Sequence, residues 1–189
     1  PLKGLKFSQL NGSHERVSLT FSGLNILNLL HQKVENSVTY PLLAPMKVYS
    51  EELLGNLMKD IRIKEALDAA SNSRIAVFGI GIISRDSPLF YTGYMDDGLV
   101  TTLQQMGAVA DVFGHFIDRN GTLCSPDEGK WTVAITADDL KRKEYSIAVA
   151  GNLQKAEAIY GTLKGGWCNV LVTDLQTAKK LIEMEQENM

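Results

Sequence analysis

The run from Tyr145 to Asp174 restricts the fold more than any other stretch: it reads Tyr-Ser-Ile-Ala-Val-Ala-Gly-Asn-Leu-Gln-Lys-Ala-Glu-Ala-Ile-Tyr-Gly-Thr-Leu-Lys-Gly-Gly-Trp-Cys-Asn-Val-Leu-Val-Thr-Asp. Ser146 to Ala150 has the short apolar character of a buried strand, Gly151 and Asn152 break it, and a helical period runs on to Leu163. Gly165-Gly166 stops the helix, and Asn169 to Thr173 is a second buried strand. Such a βαβ unit requires parallel pairing and sets its strand-to-helix turn at the carboxyl edge of the sheet, where α/β folds bind ligands. Lys155 falls in the first turn of that helix, beside N–H groups that lack intrahelical partners. A cation and free amides there suit a phosphate or carboxylate. The same position suits an ordinary solvated helix lysine, and the spacing leaves both readings open.

With 189 residues and 44% hydrophobic content, the chain is expected to bury one core in one α/β domain, residues 1–189. The net charge of −3 and a pI near 5.6 offer no basic footprint for nucleic acid. Cys124 and Cys168 are too far apart for a CxxC motif, which points to a reducing, cytoplasmic setting. The longest uncharged apolar stretch, Ile75 to Ser84, is far short of the roughly twenty residues that span a bilayer. No signal-peptide pattern opens the chain, so a soluble protein without a membrane partner is expected. His14, His31 and His115 show no ligand spacing, and no metal is expected.

In chain order, Leu5 to Leu10 reads as a strand ending at Asn11-Gly12-Ser13, and Leu19 to Gln32 as a helix capped by Ser22 and weakened by Gly23. The abrupt start at Pro1, without an initiator Met, is that expected of an excised fragment. Val38 to Leu43 is a strand closed by prolines, and Ser50 to Ala70 holds one or two helices with Asp60 as an internal cap. Arg74 to Ile80 reads as a strand covered on both faces, Pro88 to Gly98 as a loop and Asp97 to Met106 as a helix. Val109 to Ile117 and Trp131 to Ile135 read as further strands, Leu175 to Glu185 as the last helix, and Glu185 to Met189 as a frayed polar tail.

Gly79-Ile80-Gly81 lets backbone approach a ligand, but Ser84 stands where a dinucleotide fingerprint needs its third glycine, so no cofactor is expected. Asp111 follows an apolar passage and precedes Val112-Phe113-Gly114-His115. An ionised Asp is purely an acceptor, suited to sugar hydroxyls, though a strand-edge or capping Asp reads the same way. No Ser or Cys sits in a nucleophile elbow, and Trp131 and Trp167 read as core or interface residues.

Beyond these local readings, Gly107-Ala-Val-Ala-Asp-Val-Phe-Gly-His-Phe-Ile-Asp-Arg-Asn-Gly121, Ile147-Ala-Val-Ala-Gly151, Lys155-Ala-Glu-Ala-Ile159 and Asn169-Val-Leu-Val-Thr-Asp-Leu-Gln-Thr-Ala178 form a set. Together with Gly79-Ile-Gly81 and Ser87-Pro-Leu-Phe-Tyr-Thr-Gly-Tyr94, they resemble the C-terminal effector domain of the SorC-type sugar-binding transcriptional regulators. The resemblance covers most of the chain from Ser73 onward and is looser over the first seventy residues, where it rests on Gln9-Leu-Asn-Gly12 and the helix containing Asn25.

The resemblance implies a three-layer, Rossmann-like, mostly parallel α/β fold related to the glucosamine-6-phosphate deaminase and ribose-5-phosphate isomerase group. It also implies a cytoplasmic, oligomeric (dimeric or tetrameric) sensor of a phosphorylated sugar, which controls a carbohydrate-utilisation operon. Family members carry a helix-turn-helix and a Gly-x-Thr phosphate loop ahead of the point where this sequence starts, so operator DNA would be met only through that preceding part. On the family pattern Lys155 would hold the phosphate, Asp111 the sugar hydroxyls, and Gly79 and Gly81 would line the pocket. Gly151 and Asn152 would form the turn, Asn152 replacing a second glycine, and Gly12, Gly23 and Asn25 would contribute from the first seventy residues. The alternative is a sugar-phosphate isomerase or deaminase-like enzyme, but Ile82-Ile83-Ser84-Arg85 stands where such deaminases carry their acid/base run. A third possibility is an oligomerisation module with a decayed pocket.

Overall fold

The parallel pairing demanded by Tyr145–Asp174 is present in a computed structural model of the chain, which describes residues 2–13, 22–124 and 131–187. The chain divides into two units, one from Pro1–Ser73 with Lys130–Thr136, the other from Arg74–Gly129 with Ala137–Met189.

In the first unit, β1 (Lys6–Ser8) pairs in parallel with β2 (Val38–Tyr40), and α1 (Gly23–Lys33) is the crossover between them. Both strands are shorter than their apolar runs, and Pro41 ends β2 by removing the next donor. Ser22 caps α1, its Oγ accepting from the Asn25 N–H at 3.2 Å. The Ser50–Ala70 segment holds two helices, α2 (Glu51–Leu57) and α3 (Ile61–Ser71). Asp60 opens the second, its Oδ1 accepting from the amides of Arg62 at 2.8 Å and Ile63 at 3.2 Å. Ile63, Ala66, Leu67 and Ala70 form the buried stripe of α3 at helical spacing. Trp131 to Ile135 is not a strand. It bonds alternately to two segments, with single antiparallel bridges from Thr132 to Lys47 and from Ala134 to Asn11, so no continuous ladder develops.

In the second unit, β3 (Ile75–Phe78) leads through the glycine turn to β4 (Gly81–Ile82), α4 (Pro88–Tyr91) and α5 (Asp97–Gln105). The expected loop at Pro88 therefore contains a short helix, started by Ser87, whose Oγ accepts from the Leu89 N–H, and by the fixed φ of Pro88. The expected single strand over Val109–Ile117 is a hairpin, β5 (Ala108–Val112) and β6 (His115–Asp118). Phe113 (φ 39°) and Gly114 (φ 92°) both take positive φ, as a two-residue turn matched to strand twist requires.

There follow α6 (Ala137–Lys141), β7 (Tyr145–Val149), a 3-10 turn (Leu153–Lys155), α7 (Ala156–Lys164), β8 (Val170–Val172) and α8 (Leu175–Gln186). Among the described residues, β3-β7-β8 form a parallel sheet and β4-β5-β6 an antiparallel one. With the β1-β2 pair, the α/β fold is mostly parallel. Gly165 caps α7 and Gly166 (φ 67°) turns the chain out of it. Gly121 (φ 77°) lies with its Cα against Gly165, and the Trp167 indole N–H donates to the Gly121 carbonyl at 2.8 Å. That crossing buries Trp167 as a core residue.

Two further expectations change. Register aligns Ile75 with Tyr145, Val77 with Ile147 and Val170, and Val149 with Val172 on one sheet face. Ile75 is 55% and Val77 61% exposed, so β3 is covered on one face only, that of Ala76 and Phe78. An apolar run shows that both faces can be covered, not that both are. The expected frayed tail does not begin at Glu185, since α8 runs to Gln186 and the Tyr160 hydroxyl donates to Glu185 Oε2 at 2.6 Å; Asn188 and Met189 lie outside the described residues.

Candidate functional site

The two strand-end turns of the second unit bring most of the expected site residues together. After β3, Gly81 pairs with Asp111 across β4 and β5. A Cβ on Gly81 would lie 3.0 Å from Asp111 Oδ2, so glycine here admits the carboxylate. Asp111 Oδ1 accepts from the Gly114 N–H at 2.6 Å, which ties the carboxylate to its own hairpin turn. Desolvation pushes the Asp111 carboxyl up to about 6 against the opposing pull of that N–H. Gly79 is less constrained, the nearest atom to a Cβ there being the Val149 carbonyl oxygen at 4.0 Å.

Lys155 is half-buried, and its Nζ donates to the Ile80 carbonyl at 2.8 Å, between the two glycines. It is not in the first turn of an α-helix, as its spacing suggests, but closes the 3-10 turn and precedes α7. Nor is it a merely solvated lysine, since it links the β7 turn to the β3 turn. An ammonium has three donors, and two remain beyond the Ile80 bond to meet an anion.

The N–H expected to be free at the head of this turn is taken: Asn152 N donates to Asp174 Oδ2 at 2.8 Å. Asn152 sits at φ 87° and ψ 132°, a region that glycine prefers, and its own Oδ1 accepts from the Gln154 N–H at 3.1 Å. A Cβ on Gly151 would lie 2.5 Å from Asp174 Oδ2. Asp174 also caps α8, accepting from the Thr177 N–H at 2.9 Å and the Thr177 hydroxyl at 2.7 Å. Those bonds hold its carboxyl well below the usual carboxylate range. Sequence reading missed Asp174; an Asp before Leu175 announces a cap, but nothing local announces its bond to Asn152, 22 residues earlier.

Gly12 and Asn25 belong to the first unit. Gly12 is wedged against the carbonyls of Ala44 and Pro45 and donates its N–H to the Val133 carbonyl at 2.8 Å, a packing reason for glycine. Gly23 likewise leaves room for the Gln9 amide. Also missed was a row of rings in the second unit: Phe78, Phe113, His115 and Trp167 follow one another at centroid spacings of 5.7 Å. Lys141 Nζ stands 5.1 Å from the Trp167 ring, and the row braces the hairpin tip beside Asp111. Among the described residues no group of three or more His, Cys, Asp or Glu is placed to hold a metal ion, and no helix is long and apolar enough to cross a membrane.

A family model for a sugar-binding domain, Sugar-bind, matches residues 1–183. The chain belongs to this family. The Deoxyribonucleoside regulator of Bacillus subtilis (strain 168) is 32% identical over 183 residues, covering 96% of this chain and 57% of the relative. Transcriptional regulator LsrR of Enterobacter sp. (strain 638) is 33% identical over 144 residues, covering 75% of this chain and 45% of the relative. The chain thus spans about half the length of these curated relatives. The full-length Sorbitol Operon Regulator SorC from Klebsiella pneumoniae shares the fold with TM-score 0.82 at 22% identity, over 95% of this chain and 57% of that one. A DeoR family transcriptional regulator from Listeria monocytogenes does so with TM-score 0.84 at 22% identity, over 94% of this chain and 69% of that one. The family's relatives are thus SorC-type and similar transcriptional regulators, in line with the resemblance drawn from the Gly107–Ala178 motifs.

Proposed function

We propose that residues 1–189 are the effector-binding domain of a bacterial DNA-binding transcriptional regulator, which senses a phosphorylated sugar and controls a carbohydrate-utilisation operon. The observation that carries this reading is the bond from Lys155 Nζ to the Ile80 carbonyl, which ties an ammonium to the Gly81 turn and its Asp111 carboxylate. A cation with donors to spare meets the phosphate, and a purely accepting carboxylate meets hydroxyls. Gly79, Gly81, Gly151 and Asn152 shape the turns. Operator DNA is met through a part of the protein outside these residues, and the regulator works as a cytoplasmic dimer or tetramer. The fold's kinship is with the sugar-phosphate deaminase and isomerase group. Names of the relatives as regulators favour a sensor over an enzyme of that group.

Calorimetric titration of the full-length protein with sugar phosphates tests the reading. Lys155→Ala is expected to weaken binding by about ten- to a hundred-fold, the loss of a charge-assisted contact. Unchanged affinity would return Lys155 to its role as a tie between turns.

A further inference from the structure

Asp174 caps α8, and its carboxylate reaches in two directions. Oδ1 faces α8, accepting the Thr177 N–H, while Oδ2 accepts both the Thr177 hydroxyl and the Asn152 N–H. Gly151 has no side chain in the very place where one would strike Oδ2. Asn152 holds a glycine-like φ that its own side chain does not favour, so something outside the turn imposes it. The Asn152 carbonyl accepts the Lys155 N–H at 2.9 Å, so the residue whose N–H Asp174 holds also closes the 3-10 turn that ends at Lys155.

We propose that Asp174 is the positioning residue of the effector site: by hooking the Asn152 N–H it fixes the turn that aims Lys155 at the Ile80–Gly81 backbone. The same hook closes the turn's leading amide to any anion. An acceptor carboxylate already occupies that N–H and would repel a second negative group placed there. The effector's anionic group is therefore left to the two free donors of Lys155, on the Ile80 side, rather than to the start of the turn. This inference rests on the sugar-phosphate reading above.

Asp174→Ser separates the two roles of the residue. Serine caps a helix about as well as aspartate, but its hydroxyl is one atom too short to reach Asn152 as well. The probes are ribose 5-phosphate, glucose 6-phosphate and inorganic phosphate, titrated into the full-length protein, with amide hydrogen exchange followed at Asn152 and Thr177. The expected result is faster exchange at Asn152 by roughly tenfold or more, retained protection at Thr177, and roughly tenfold weaker sugar-phosphate binding. Equal affinity in variant and wild type, or unchanged exchange at Asn152, would overturn the positioning role. Should the wild type bind none of the three probes while exchange at Asn152 still rises in the variant, the sugar-phosphate reading fails. Asp174 is then a cap and loop tether only.

Discussion

Two turns in the second unit are built on the same plan and shift their carboxyls in opposite directions. Each has a glycine against which a carboxylate presses: Gly81 under Asp111 and Gly151 under Asp174, with would-be Cβ approaches of 3.0 and 2.5 Å. Asp111 receives one backbone N–H and is desolvated, so burial outweighs bonding and its carboxyl rises to about 6. Asp174 receives the Thr177 N–H, the Asn152 N–H and the Thr177 hydroxyl, so bonding wins and its carboxyl falls. The balance of burial against the donors aimed at each carboxylate decides the direction: burial dominates at Asp111, hydrogen bonds at Asp174. One turn holds a carboxylate that spares acceptor capacity for a ligand; the other uses its carboxylate up on structure.

The steric half of the comparison makes the largest prediction. Gly151→Ala is expected to cost about 3 kcal/mol, because the intruding methyl must displace a carboxylate held by several donors. Gly81→Ala is expected to cost about 1 kcal/mol, its contact being looser. Denaturant unfolding of both variants checks the order, and equal costs would break the parallel.

The protonation half comes next. The unfolded Asp111 carboxyl titrates near the ordinary aspartate value of 3.8 and the folded one at about 6. Between these the folded state binds the proton more tightly, so this residue's contribution to stability falls as pH rises through the window and stays low above it. Asp111→Asn is therefore expected to stabilise the protein by about 2 kcal/mol at pH 8, with the gain gone near pH 4. Asp174 has the opposite sign: its contribution is present above the unfolded carboxylate pKa and is lost as pH falls below it. A gain from Asp111→Asn that persists at pH 4 would remove desolvation as its cause.

The smallest effect sharpens the account of the second turn. Asn152→Gly relieves a positive φ but loses the side-chain bond to Gln154, leaving a net gain of about 0.5 kcal/mol. Thermal unfolding would read it, and a loss would mean that Asn152 itself, rather than Asp174, sets the geometry.

What the sequence determined by itself is the part written in short spacings. The βαβ unit at Tyr145–Asp174, the caps at Ser22 and Asp60, the stop at Gly165-Gly166 and the family motifs are all local patterns of polarity, capping and turn chemistry, and each reappears in the structure. The hairpin hidden in Val109–Ile117 was legible in principle, since Gly114 interrupts the apolar run, but the apolar residues on either side of it read as one continuous strand.

The tertiary structure alone decided which of several compatible partners each group would take. Lys155 reads locally as a solvated lysine or as part of an anion grip, yet its Nζ reaches a carbonyl 75 residues away. Asp174 was bound to cap a helix and also holds Asn152, and the apolar run of β3 was fit for burial on two faces and is covered on one. Local sequence sets what a side chain can bond, but a long-range bond or a covering layer depends on which distant segment folding brings within about 3 Å, and that information is spread over the whole chain.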